Sequence, residues 1–245
     1  MPAPSQHAFS EKVALITDGT NPIGRAAAMQ LALYGCYVIV GVSHSDETEK
    51  QTLNELKSLG TLAHFVETDF ENIYSAENLV GEVENLYGRL DLLVNCLKSD
   101  AYSEFEEISE ETFDEIININ LKGTFFITRK AVELMKARPK PKIVNIFSAC
   151  DTKKAKKNPA AAATAAALSG WTKDLAEILP ENFRVNGVAV SDKQKKTSHF
   201  DKFSKADDEL FRRKTGLETD DIARTITYLL SAEAVGLNGQ ILKVG

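Results

Sequence analysis

Residues 12–35 read KVALITDGTNPIGRAAAMQLALYG. Their first six residues form a run dominated by apolar side chains with no clean alternation, which suits a strand buried on both faces. A short polar turn, DGTN, follows. Pro22 then opens an alanine-rich helical segment, at a helix position where the missing proline N–H costs nothing. Strand, tight turn and helix in that order make the first half of a βαβ unit. In such a unit the turn carries the unpaired N–H groups of a helix N-terminus towards a ligand.

The same alternation continues in both composition and length to the end of the chain. Further strand candidates are CYVIVGV (36–42), LAHFV (62–66), DLLVN (91–95), KIVNIF (142–147), FRVNGVAV (183–190) and QILKV (240–244). Helix-period stretches lie between them, among them 49–60, 75–88 and 111–136. The expected fold class is therefore α/β: a Rossmann-type, doubly wound parallel sheet of about seven strands with helices on both faces. Nothing resembles a linker or repeat, so residues 1–245 are expected to form a single domain. Two stretches interrupt the alternation, DTKKAKK (151–157) and the polar segment 191–209. Both follow late strands, at the sheet edge where open α/β folds bind ligands. Their lysines (Lys153, Lys154, Lys156, Lys157, Lys193, Lys195 and Lys196) ordinarily belong to a solvated surface. They could also meet the phosphates of a coenzyme A thioester or an acidic partner.

Composition narrows the function classes. A net charge of −6 argues against a general nucleic-acid binder. Cys36, Cys96, Cys150 and four scattered histidines show no ligand spacing, so no metal is expected and the thiols read as buried and reduced. No signal peptide is evident and no apolar run reaches spanning length, which predicts a cytoplasmic chain without a membrane partner.

From Lys12 to Val244 an ordered series of pieces resembles the short-chain dehydrogenase/reductase family: ALITDGTNPIGRAAA, LDLLVN, IININLKGTFF, KIVNIFSA, ALSGWTKDLAEIL, FRVNGVAV and GLNGQILKVG. The resemblance implies a Rossmann-type fold and, for active members, NAD or NADP bound at a glycine turn TGxxxGxG. Here Gly24 is kept, while Asp18 and Pro22 stand in place of the first two glycines. A carboxylate repels a pyrophosphate, and proline removes a donor. The second strand ends at Val42 without an acid for the ribose. Asp69 matches a family aspartate near adenine, Asn95 begins the equivalent of the family's NNAG, and Lys98 falls where its glycine lies beside the cofactor. This chain is expected to bind neither dinucleotide, and Lys98 is expected to reach into the vacated region and pair with Asp18.

Active relatives use an Asn, a Ser and a Tyr-x-x-x-Lys pair. Asn120 and Ser148 match the first two and read as vestigial; the tyrosine and lysine positions are Ala161 and Ala165. Loss of one general acid–base group costs about 10²–10⁴ in rate, so the resemblance implies a chain that is no enzyme by itself. Helices over 110–136 and 160–180 correspond to those that pair between subunits in the family's tetramers. A noncatalytic subunit of a heterotetrameric NAD(P)-dependent dehydrogenase, assembled with an active paralogue that carries NAD or NADP, is the expected role. Dehydrogenases of this family that pair an active with an inactive subunit are known, one of them in anaerobic toluene degradation. The alternatives are a stand-alone ligand sensor on the same fold, or an active NAD(P)-dependent oxidoreductase with displaced catalytic residues.

Overall fold

Each of the seven apolar runs forms a strand: β1 Val13–Ile16, β2 Tyr37–Val42, β3 Ala63–Glu67, β4 Leu92–Asn95, β5 Lys142–Ser148, β6 Arg184–Val190 and β7 Ile241–Val244. The computed structural model describes residues 8–43, 47–99, 101–149, 158–191 and 217–244. Cys150, the basic stretch 151–157 and most of the polar segment 191–209 lie outside them. Among the described residues all pairings are parallel, in the order β3-β2-β1-β4-β5-β6-β7. The expected doubly wound fold class is therefore present. Strand order reverses between β1 and β4, which pair directly, and this opens the crevice at their carboxyl ends.

Seven α-helices flank the sheet among the described residues: α1 Pro22–Leu33, α2 Glu47–Ser58, α3 Ile73–Tyr87, α4 Glu110–Ile117, α5 Thr124–Met135, α6 Pro159–Ile178 and α7 Leu217–Leu230. Local chemistry sets several ends. Asn72 caps α3 by accepting from Tyr74 and Ser75, and Gly88 closes that helix in the left-handed region at φ 60°. Ser109 caps α4 ahead of Glu110 and Glu111, whose charges suit a helix N-terminus.

Successive strand residues feed opposite layers. Ala14 and Ile16 of β1 pack with Val38, Val40, Ile226 and Leu230 on the α1–α7 side. Val13 and Leu15 pack with Ile39, Leu79, Leu93 and Ile127 on the α3–α5 side. This two-sided burial is why the strands read as continuous Val, Ile and Leu runs. Cys36 and Cys96 are buried free thiols, and burial pushes the Cys96 pKa up to about 12. Among the described residues no helix is long and apolar enough to cross a membrane.

At the amino ends of the strands, the buried carboxylate of Asp91 joins several segments. It accepts from the Val13 N–H at 3.0 Å, from Arg89 at 2.9 Å and from Arg138 at 3.0 Å, with the Lys12 ammonium at 3.5 Å. Burial alone would raise the Asp91 pKa. The Val13 N–H, the two guanidiniums and Lys12 outweigh it and hold the group below its ordinary value of 3.8.

Candidate functional site

The turn after β1 is built against its neighbours. Thr17 donates its N–H to the Val94 carbonyl at 3.0 Å, and its hydroxyl accepts the Cys96 N–H at 3.0 Å, which ties the end of β1 to the end of β4. The Gly19 N–H reaches the Gly41 carbonyl at 2.8 Å. A Cβ at Gly19 would lie 2.2 Å from Val40 Cγ1, and one at Gly24 would lie 1.7 Å from the Asp18 carbonyl oxygen. Both positions demand glycine because backbone or a strand side chain already fills the space.

Asp18 is buried in this turn. Its Oδ1 accepts from the Thr20 N–H at 2.9 Å and from the Thr20 hydroxyl at 2.5 Å; its Oδ2 accepts from Asn21 Nδ2 at 3.0 Å. Asn21 also donates to the Cys96 carbonyl at 2.8 Å and caps α1 by accepting the Gly24 N–H at 2.9 Å. Pro22 is the exposed first residue of the helix and has no N–H to offer. The donors of Thr20 and Gly24 are thus engaged by the protein's own side chains, one of them a carboxylate. These residues do not fit a dinucleotide pyrophosphate. The expected Lys98–Asp18 pair is corrected: Lys98 is exposed, and Asp18 is served locally by Thr20 and Asn21.

The other cofactor positions are scattered in their roles. Val42 is buried at the end of β2, opposite Glu67 of β3. Asp69 is exposed, and its carboxylate accepts the Glu71 N–H at 3.0 Å within its own loop. Asn95 belongs to a buried polar ladder. Its Nδ2 donates to Thr128 Oγ1 and Asn145 Oδ1, each at 2.8 Å, and Asn145 donates to Thr172 Oγ1 at 2.9 Å. That ladder pins β4 and β5 to α5 and α6, a structural task.

Between α4 and α5 the chain widens into a π-helical turn, Asn118–Gly123, which carries Asn120. Asn120 is buried; its Oδ1 accepts the Ser99 N–H at 2.6 Å and its Nδ2 donates to Thr164 Oγ1 at 3.3 Å. The Thr164 hydroxyl donates in turn to the Ala161 carbonyl at 2.9 Å. Ser148 ends β5 and is half-buried. Ala165 is buried among Phe147, Ala149, Leu168 and Ala189, so the place where the family's lysine would begin is a small apolar cluster. The half-buried Ala161 offers only a methyl group. Sequence reasoning missed the rest of the network. Ser99 donates its hydroxyl to Glu115 Oε1 at 2.7 Å and accepts the Ala101 N–H at 2.9 Å; Asn158, the cap of α6, donates to the Ala101 carbonyl at 3.0 Å. Thr164 was legible as a polar residue in an alanine run, but Glu115 sits in an acidic surface stretch and gave no signal.

Comparison with known proteins places this geometry. Residues 12–202 match the family described as short chain dehydrogenase. An uncharacterized oxidoreductase of Thermotoga maritima is 32% identical over 245 residues, covering 96% of each chain. The (2S)-[(R)-hydroxy(phenyl)methyl]succinyl-CoA dehydrogenase subunit BbsD of Thauera aromatica is 30% identical over 241 residues, again covering 96% of each. A short chain dehydrogenase of Burkholderia cenocepacia, solved in complex with NADP, superposes with a TM-score of 0.81 at 25% identity and 97% coverage of each chain. These matches overturn the expectation, drawn from Ala161 and Ala165, that the chain is no enzyme by itself. Similarity runs through the whole scaffold to proteins named as oxidoreductases and dehydrogenases, and two positions on one helix do not outweigh it.

Proposed function

This chain belongs to the short-chain dehydrogenase/reductase family and is an oxidoreductase of that type; from that premise we propose that it works as one subunit of a hetero-oligomeric NAD(P)-dependent enzyme. Its partner in a heterotetramer is a paralogous subunit that carries the family's tyrosine and lysine at the places of Ala161 and Ala165. The dinucleotide is carried by that paralogue, because Asp18 and Asn21 occupy this chain's own turn. The substrate class is a hydroxyacyl-CoA thioester. We extend the proposal to the (hydroxybenzyl)succinyl-CoA dehydrogenase of anaerobic toluene degradation, which the pattern of departures and the 30% identical dehydrogenase subunit support.

One observation carries the reading: the first half of α6 presents only small residues at its exposed positions. Ala163, Ala166, Ala167 and Gly170 are exposed along it, and Trp171 lies 5.4 Å, centroid to centroid, from Phe125 of α5. Phe113 and Phe125 are exposed on the neighbouring helices. These are exposed small and aromatic residues on α4, α5 and the first half of α6, ahead of the exposed charges Lys173, Asp174 and Glu177, and exposed apolar groups of this kind mark interaction surfaces. Small residues let helix backbones approach closely and lose little side-chain entropy.

A Cβ at Gly170 meets nothing within 4 Å, so that residue faces outward. Gly170→Glu is therefore expected to abolish assembly with the paralogue while leaving the isolated chain folded. Light scattering of the mixture together with the circular dichroism of the variant checks this. A variant that still assembles at wild-type concentration contradicts this interaction surface.

The hydrogen-bonded chain Glu115–Ser99–Asn120–Thr164 favours a second reading, in which this subunit itself turns over substrate with displaced proton-transferring groups. NAD(P)H-dependent reduction of a β-ketoacyl thioester by the purified chain alone, abolished by Glu115→Gln, supports that reading. A defined hetero-oligomer with the paralogue, seen by light scattering, supports the first.

A further inference from the structure

The three donors on the Asp18 carboxylate converge as they would on a bound anion. They are one backbone N–H, one hydroxyl and one side-chain amide, all from the turn that leads into α1. Turns that aim donors at a point before a helix N-terminus are anion sites. The backbone of this turn has kept the tightness such a site needs, since Gly19 and Gly24 leave no room for a Cβ. What differs is the occupant, which here is covalently part of the chain.

We propose that Asp18 is a built-in counter-anion: its carboxylate fills a phosphate-binding cradle and holds it shut against phosphate-bearing ligands. An internal carboxylate two or three residues from its donors competes at a very high effective concentration, while a free phosphate must be drawn from solution. A second anion would also face the charge already there. Charge-assisted bonds to Thr20 and Asn21 keep the turn in its closed form without a ligand. The inference rests on the reading that the dinucleotide belongs to the partner subunit, and it explains physically why this chain's turn refuses it.

The test uses the full chain without a partner, and inorganic pyrophosphate as the probe. Calorimetry is expected to show no binding to the wild-type chain and binding to Asp18→Gly, a gain of roughly tenfold or more in affinity. Asp18→Gly is also expected to melt at a lower temperature than wild type, and millimolar pyrophosphate raises that temperature in the variant alone. Should the glycine variant fail to fold, Asp18→Ser, which keeps a short acceptor for Thr20, gives the same comparison. Equal behaviour of wild type and the folded variant, whether both bind or neither does, overturns the proposal. No partner is in the titration, so this result and the subunit reading fail separately.

Discussion

Replacing Asp91 with alanine lowers the stability of the chain by about 3 kcal/mol, since removing one member of a buried ion cluster leaves the others uncompensated. The partial exposure of Lys12, Arg89 and Arg138 lets water relieve part of that cost, and keeps the figure at the low end for buried pairs. The Val13 N–H loses its partner outright and cannot be rescued by a longer cation. The effect carries a pH signature. Asp91 titrates below its ordinary value of 3.8 in the folded chain, so its contribution is fully present above that value. It is lost as pH falls through the lower, folded value, because the unfolded state then binds the proton first. Denaturant melts of wild type and Asp91→Asn should therefore differ most near neutral pH and converge in strong acid. A gap that stays constant down to pH 2 or so contradicts this assignment.

Gly24→Ala is the second large effect. Its Cβ would sit 1.7 Å from the Asp18 carbonyl oxygen and 3.0 Å from Cys96 Sγ, and the Cys96 thiol itself donates to that carbonyl. Overpacking a core usually costs about 1–3 kcal/mol; a clash with backbone rather than a flexible side chain places this substitution at or above that range. Gly170→Ala supplies the internal control, because there the new methyl group meets open space within a helix. It should stabilise by about 0.5–1 kcal/mol through helix propensity. The same chemical change thus has opposite signs at two glycines, and thermal denaturation of the pair reads both. If Gly24→Ala melts with the wild type, the turn is looser than this close packing requires.

How much of this was legible follows from the kind of interaction involved. Strands buried on both faces are apolar throughout, so β1, β2 and β4 appear directly as Val, Ile and Leu runs, with Asp91 just before β4 and Asn95 at its end, while the edge strands β3 and β7 are only partly buried. The α4–α5 stretch read as one helix over 110–136, because a π-turn inserts a residue without changing which residues are apolar. At the widening Asn118–Gly123, Thr124 Oγ1 donates to the Asn120 carbonyl, a bond that the sequence pattern does not announce. The turn 17–24 showed its departures plainly, yet the fate of Asp18 did not. Two partners were chemically possible, a distant lysine and the adjacent threonine and asparagine. Local partners won because they require no long side chain to be ordered and no ammonium to leave water. The Ser99–Glu115 contact is a meeting of the β4 loop with α4, and neither residue has a pattern that announces it.

The alanines at 161 and 165 illustrate the same boundary from the other side. That they stand where the family resemblance expects a tyrosine and a lysine is visible in one dimension. What replaces the pair in space is visible only in three: a hydroxyl at Thr164 turned to Asn120, and an apolar cluster around Ala165. The family assignment shows that this scaffold belongs to oxidoreductases. Which subunit contributes which step is the content of the proposal.

That proposal is tested most directly by light scattering of the chain alone and mixed with any short-chain dehydrogenase encoded beside it, with hydroxyacyl-CoA oxidation followed in each sample. The account predicts a defined hetero-oligomer in the mixture, and a neighbour that loses activity and stability when this chain is withheld. A monodisperse monomer in both samples, with the neighbour fully active on its own, contradicts it.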